Sequence, residues 1–249
     1  MKRLAAILLL FAVCALTGAQ ANSDLLQQAT AAYERGDYVR AATLYESIIA
    51  EGGTDPALYF NLGNAYFQTG DLGRALLNYR RAAVSIPRDP NLNTNLAKVR
   101  AARTDILGDE TGPAESLSAL TSSSLTLTEL AWLVFWMWLA WFTILIVGLW
   151  RRNWLAVLRV PLLGLGGVLV IGLLLLGSRL YVDSNRPSAV VIDLGAPVMS
   201  GPGSGYLQHF QIHAAAEIRI LDTRGSWVRF ELPDGRQGWI SSDSIERVN

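Results

Sequence analysis

The chain has 249 residues, of which 51% are hydrophobic and 17% charged, with 21 basic residues against 21 acidic ones. A formal charge of zero without a basic stretch gives a nucleic-acid partner no electrostatic support. One Cys and two His exclude a disulfide framework and a Cys/His zinc site, and the length leaves room for one or two small domains beside any apolar spans.

Residues 1–21 have the pattern of an export signal. Lys2 and Arg3 precede the apolar run Leu4 to Leu16, and Ala19-Gln20-Ala21 offers a small-x-small cleavage site. An uncleaved anchor is the alternative. Bulky Val13 before Cys14 argues against a lipoprotein, and cleavage would leave the mature chain without a thiol.

From 22 to 103 the sequence is similar to itself at a spacing of 34. Gly36 and Gly70, Asp37 and Asp71, Ala41 and Ala75, Tyr45 and Tyr79, and Asn61-Leu62 and Asn95-Leu96 correspond. This period with Tyr59, Leu62, Gly63 and Tyr66, then Ala75, Tyr79, Ala82 and Pro87, resembles the tetratricopeptide repeat. The first unit departs from that pattern, with Ala29 at the Gly63 position and Ala32 at the Tyr66 position. A last helix from Pro90 is expected to seal the stack, with Lys98, Arg100 and Arg103 on its solvent side. The resemblance implies a concave wall on which Phe60, Asn61, Asn64, Phe67 and Gln68 face a peptide groove, joined by Asn91, Asn95 and Lys98. Asparagine amides both donate and accept, which suits an extended peptide backbone; ordinary solvated asparagines are the plainer reading.

Residues 104–125 are rich in Gly, Pro and Ser and keep no apolar period, so they read as a linker. Residues 126–182 read as a transmembrane hairpin, opened by a Thr126–Glu129 capping-box spacing. The spans, about 131–150 and 160–181, each supply roughly the ~20 apolar residues that a bilayer core requires. Arg151, Arg152 and Arg159 mark the turn 151–159 as cytoplasmic by the positive-inside rule, which leaves both flanking regions on the outer side. Five glycines between 164 and 177 permit close helix contact, and Trp138 and Trp141 lie deep enough to pack on a partner helix.

Beyond Asp183, short strands alternate with turn sequences such as Thr223-Arg224-Gly225 and Pro233-Asp234-Gly235. Val198 to Tyr206, Phe210, Glu217-Ile218-Arg219-Ile220, Gly225-Ser226-Trp227-Val228 and Gly238-Trp239-Ile240 resemble a bacterial SH3-like small barrel over 186–249. That resemblance implies an aromatic groove of Tyr206, Trp227 and Trp239, with core packing as the other reading, favoured for Trp239. His209 and His213 have no third ligand nearby, so they do not make a metal site. Neither a phosphate loop nor a Ser/His/Asp arrangement has supporting context, and the chain reads as a non-enzyme without a cofactor.

The fold expected is therefore a multidomain membrane protein with an all-α tetratricopeptide-repeat array, a two-helix transmembrane hairpin and an all-β SH3-like small barrel. That order of parts resembles BatE-type aerotolerance proteins over almost the whole chain. The resemblance implies a periplasmic scaffold on the bacterial inner membrane, working with von Willebrand factor A-domain membrane proteins and a MoxR-type ATPase. A peptidoglycan-binding anchor or stress sensor acting through the SH3-like domain is the alternative.

Overall fold

The computed structural model describes residues 23–105, 113–151 and 154–248. The export signal read over 1–21 lies outside the described residues, as does Arg152.

Two antiparallel helix pairs and a fifth helix form the first module. They are α1, described over 23–34, α2 (Tyr38–Ala50), α3 (Pro56–Thr69), α4 (Leu72–Ser85) and α5 (Pro90–Ala102). Four aspartates start α2 to α5. The side chains of Asp37, Asp55, Asp71 and Asp89 accept from the backbone N–H of Arg40, Ala57, Arg74 and Leu92 respectively. Each such cap typically contributes about 1 kcal/mol. Pro56 and Pro90 sit in the first turn, where a missing N–H costs nothing. Thus Asp55-Pro56 and Asp89-Pro90 extend the 34-residue periodicity to the caps, a signal present in the sequence and overlooked in reading it.

Small residues set the helix spacing. Ala29, Ala32 and Ala41 are fully buried in the first pair, so the departures of that unit from the repeat pattern still serve close packing. In the second pair Gly63 lies under the buried Tyr79 ring, and a Cβ there would come within 2.6 Å of it. Gly70 turns the chain between α3 and α4 at φ 83°, a left-handed conformation that a side chain would disfavour.

The stretch expected to be a linker contains a helix, α6 (Pro113–Ser122), packed against the hairpin. Among its described side chains Ser118 and Thr121 are buried, while Leu117 and Leu120 are exposed.

The hairpin consists of α7 (Leu127–Trp150) and α8 (Leu155–Asn185), both long and apolar enough to cross a membrane. Only 11% and 6% of their most apolar windows are buried, so neither is the core helix of a water-soluble domain. Thr126 and Glu129 form the capping box that their spacing predicts. Trp141 packs across the pair, its indole N–H donating to the Leu162 carbonyl at 3.0 Å above Gly166; Trp138 remains exposed. Of the five glycines, only Gly166 and Gly172 meet the opposite helix. The turn is shorter than expected, because α8 already starts at Leu155 and includes Arg159.

Seven strands follow: β1 (Ser188–Val191), β2 (Ala196–Met199), β3 (Gln208–Ile212), β4 (Glu217–Arg224), β5 (Trp227–Glu231), β6 (Gln237–Ser241) and β7 (Ile245–Arg247). They form one antiparallel sheet in the order β3-β2-β6-β5-β4-β1-β7, around a core that includes Val191, Val198, Ile212, Phe230 and Ile240. The expected closed barrel is not formed, since the outer strands β3 and β7 are not joined. The exposed edge of β7 is instead held by α4, where Arg81 donates to the Arg247 carbonyl at 3.0 Å and pairs with Glu246 at 2.8 Å.

Gly63→Ala should lower stability by about 1–2 kcal/mol, because overlap with the immobile Tyr79 ring outweighs the ~1 kcal/mol gain in helix propensity. Thermal unfolding of the full chain in detergent, followed by helical circular dichroism, measures this. Asp71→Ala should cost about 1 kcal/mol through loss of the cap.

Candidate functional site

Two surfaces have the polar and aromatic side chains needed for recognition: the wall of the repeats and the junction between repeats and sheet. On the repeat wall the expected groove residues differ sharply in what they touch. Asn64 Oδ1 accepts from the Tyr79 hydroxyl at 2.7 Å and from Asn95 Nδ2 at 2.9 Å. Phe60 packs on Tyr79, with ring centroids 5.9 Å apart, and Phe67 is partly buried against the same cluster. Burial, more than any charge, raises the Tyr79 hydroxyl pKa, so the group is a permanent donor at neutral pH. The Tyr79–Asn64–Asn95 network fixes both amides and ties α3 to α5. Asn61 is half-exposed, while Gln68, Asn91 and Lys98 are exposed and available to a ligand.

At the junction the helix expected to seal the stack has a different neighbour. Arg100 and Arg103 do not simply project into solvent as expected; both reach Glu217 at the start of β4, Arg103 largely buried and Arg100 still 39% exposed. Arg100 binds that carboxylate with two hydrogen bonds of 2.9 Å each, Arg80 approaches to 3.3 Å and Arg103 to 3.7 Å. Just beyond α5, Asp105 accepts from the His213 backbone N–H at 2.7 Å and lies 3.0 Å from its Nδ1. Apolar contact accompanies these pairs: Val190, Ala215 and Val248 from the sheet share one buried cluster with α4 and α5. Gly73 permits this approach, since a Cβ there would lie 2.8 Å from the Ile192 Cα and the Val191 carbonyl.

Burial works to raise the Glu217 pKa, but the Arg100 hydrogen bonds and the charges of Arg80, Arg100 and Arg103 outweigh it and hold the carboxyl below its ordinary value. A depressed carboxylate stabilises the folded state fully above its unfolded value, near 4.5, and the contribution is lost as pH falls through the lower folded value.

The sheet aromatics are less unified than expected. Trp227 and Trp239 share one face by register, Trp227 opposite Ser241 and Trp239 opposite Arg229. Trp239 is buried with the Arg224 guanidinium 5.3 Å above its ring, while Trp227 is half-buried. Tyr206 is 53% exposed in the β2–β3 loop, resting on Gly201, and makes no ring contact with either tryptophan. His209 is exposed on β3 and His213 belongs to the junction, so the structure does not bring the two together as ligands. Among the described residues no group of three or more His, Cys, Asp or Glu is arranged to hold a metal. In the hairpin turn Arg151 stacks 5.4 Å over Trp154, and Arg159 is exposed on α8.

Comparison with known families agrees with the helical periodicity. Residues 26–91 match the tetratricopeptide repeat. The match covers nearly all of α1 to α4 and the first residues of α5. No curated protein matches the chain significantly. Tetratricopeptide repeats are characteristically protein-interaction modules rather than catalytic ones, so this part of the chain points to protein partners.

Glu217→Gln should destabilise the junction by about 2 kcal/mol at neutral pH, because three guanidinium groups lose their common anion. Hydrogen exchange in α5 and β4 of the full chain should accelerate in the variant. The wild type should show the same loosening as pH falls below 4.5 and through the lower folded value, and the variant should lack that acid step.

Proposed function

We propose that the chain is an inner-membrane scaffold that presents a tetratricopeptide-repeat domain and an SH3-like domain outside the membrane to assemble envelope proteins. The observation that carries this reading is the joining of repeats and sheet into one packed body at a single end of an exposed apolar hairpin. Arg88 at the end of the repeats pairs with Glu129 at 2.5 Å, and Arg186 at the end of α8 pairs with Glu231 of β5 at 3.3 Å. These contacts hold both modules beside the start of α7 and the end of α8. Arg151, Arg152 and Arg159 at the other end favour the cytoplasm, so the folded modules are assigned to the periplasm.

By resemblance to aerotolerance proteins, the partners are membrane proteins with von Willebrand factor A domains, working with a MoxR-type ATPase. The exposed polar edge of the repeat wall, Gln68, Asn91 and Lys98, is the surface assigned to them. The second reading is a peptidoglycan-binding anchor or stress sensor, favoured by the exposed Tyr206 on the sheet module. The seven short antiparallel strands over 186–249 suit an SH3-like assignment despite the open ladder.

Capture of an A-domain membrane protein by the detergent-solubilised full chain, weakened at least about tenfold by Lys98→Glu with Gln68→Ala, is expected under the scaffold reading. Co-sedimentation of the full chain with purified sacculi, lost in Tyr206→Ala, would replace it with the anchor reading. Reporter fusions at residue 155 and residue 249 should report cytoplasm and periplasm respectively, and the reverse pattern would overturn the topology.

A further inference from the structure

Helix α6 is folded inside out. Among its described side chains polar Ser118 and Thr121 are buried, while Leu117 and Leu120 are 41% and 69% exposed. The two leucines are three residues apart and so share one helix face. A helix packed on a water-soluble body does the reverse, burying its apolar stripe and wetting its polar one. An apolar face turned outward is stable where the surroundings are themselves apolar.

The chain leaving α6 is held from two sides. Arg179 of α8, itself buried, donates to the Leu125 carbonyl at 2.6 Å, and Arg88 of the repeats donates to the Ser124 carbonyl at 3.1 Å. An arginine near the end of an apolar span ordinarily extends its long stem to the lipid headgroups. Arg179 ends instead on the main chain beside α6, which packs against α8 where headgroups would otherwise lie.

The level of α6 follows from α8. That helix has no charged residue between Arg159 and Arg179, and the two arginines stand about 30 Å apart along its axis, the thickness of a bilayer's hydrocarbon core. Arg179 therefore lies at one edge of the core. Leu125, whose carbonyl it binds, donates its N–H to the Thr121 carbonyl at 2.7 Å, which puts the last turn of α6 at the same edge. Tyr181 and Leu180 of α8 and Trp132 of α7 are exposed near this level, as in an interfacial belt, and the latter two line an apolar hollow of about 540 Å³.

We infer that α6 lies in the headgroup layer of the bilayer, with Leu117 and Leu120 inserted among the acyl chains. This rests on the reading of α7 and α8 as a transmembrane hairpin, with whose exposed apolar surface the lipid-facing side of α6 is continuous. The chain thus has a third membrane element, at the end of the hairpin where the repeats and sheet are attached. Because Ser124 also binds Arg88, insertion of α6 sets the height of the repeats above the lipid.

The test places a nitroxide label at single sites of the full chain, with Cys14→Ser removing the natural thiol, in discs of phosphatidylethanolamine and phosphatidylglycerol. Leu117→Cys and Leu120→Cys are the sites under test; both side chains are exposed, so the packed face of α6 is left intact. Ile171→Cys on α8 is the lipid reference and Leu207→Cys in the β2–β3 loop the water reference, both at exposed apolar side chains. Collision of each label with dissolved oxygen, which concentrates in lipid, is compared with collision with a water-soluble nickel chelate. The oxygen-to-nickel ratio at Leu117 and Leu120 is expected to exceed that at Leu207 by at least about fivefold and to approach that at Ile171. A ratio equal to that at Leu207, with Ile171 in lipid, would overturn the inference and leave the hairpin standing. Low collision with both reagents would also overturn it, since a protein partner then covers the leucines. A water-like ratio at Ile171 would remove the hairpin reading, and the inference with it.

Discussion

Helix α4 is packed on three flanks, and the arrangement of the folded modules follows from that. Leu76, Leu77 and Tyr79 are almost fully buried, with α3 on one flank, α5 on another and β1 with Val248 on a third. A helix in an array of two repeats would ordinarily leave one face for the next repeat, and so short an array is marginal by itself. Here the sheet occupies the place of further repeats. The helical and sheet modules consequently share a core, and neither presents its inner face to water.

The polar contacts give that shared core its register. Burying a carboxylate is costly unless it is paired and hydrogen-bonded. Glu217 meets that condition only while Arg80 and Arg100, on two different helices, are held against β4. Any sliding of the sheet along α4 and α5 would strand the carboxylate among apolar neighbours, whereas apolar contact alone tolerates small shifts. Asp105 on His213 and Arg81 on the β7 edge act at either side of this point. The hairpin is tied to the repeats by Arg88 with Glu129 and to the sheet by Arg186 with Glu231. Its two helices hold each other through Trp141 over Gly166 and Val134 against Gly172, which leaves most of their apolar surface facing outward.

Local elements were readable in the chain because each depends on nearby residues. The 34-residue period, the Gly70 turn, the Thr126–Glu129 box and the two apolar stretches concern residues within a turn or a helix of one another, and all appear at the positions their spacing indicates. Helix α6 escaped because polar Ser118 and Thr121 are buried while Leu117 and Leu120 are exposed, the reverse of a hydrophobic signature. Strand β7 escaped because three residues are too few for alternation to register. The groove residues were only partly legible: Asn64 and Asn95 could be read as lining a peptide groove, but not as being used up by Tyr79 and by one another.

The sequence by itself determined the order of parts, repeats, apolar hairpin and strands, because periodicity and hydropathy are properties of short windows of chain. Only the tertiary structure decided that Arg100 and Arg103 meet Glu217, and that the sheet stays open with Arg81 of α4 on the Arg247 carbonyl of β7. Each depends on residues far apart in the chain, as with Arg100 and Glu217 or Arg81 and Arg247, and charge or polarity in a sequence does not say which distant group will lie opposite. That is fixed when two apolar faces find each other and bring their polar neighbours with them.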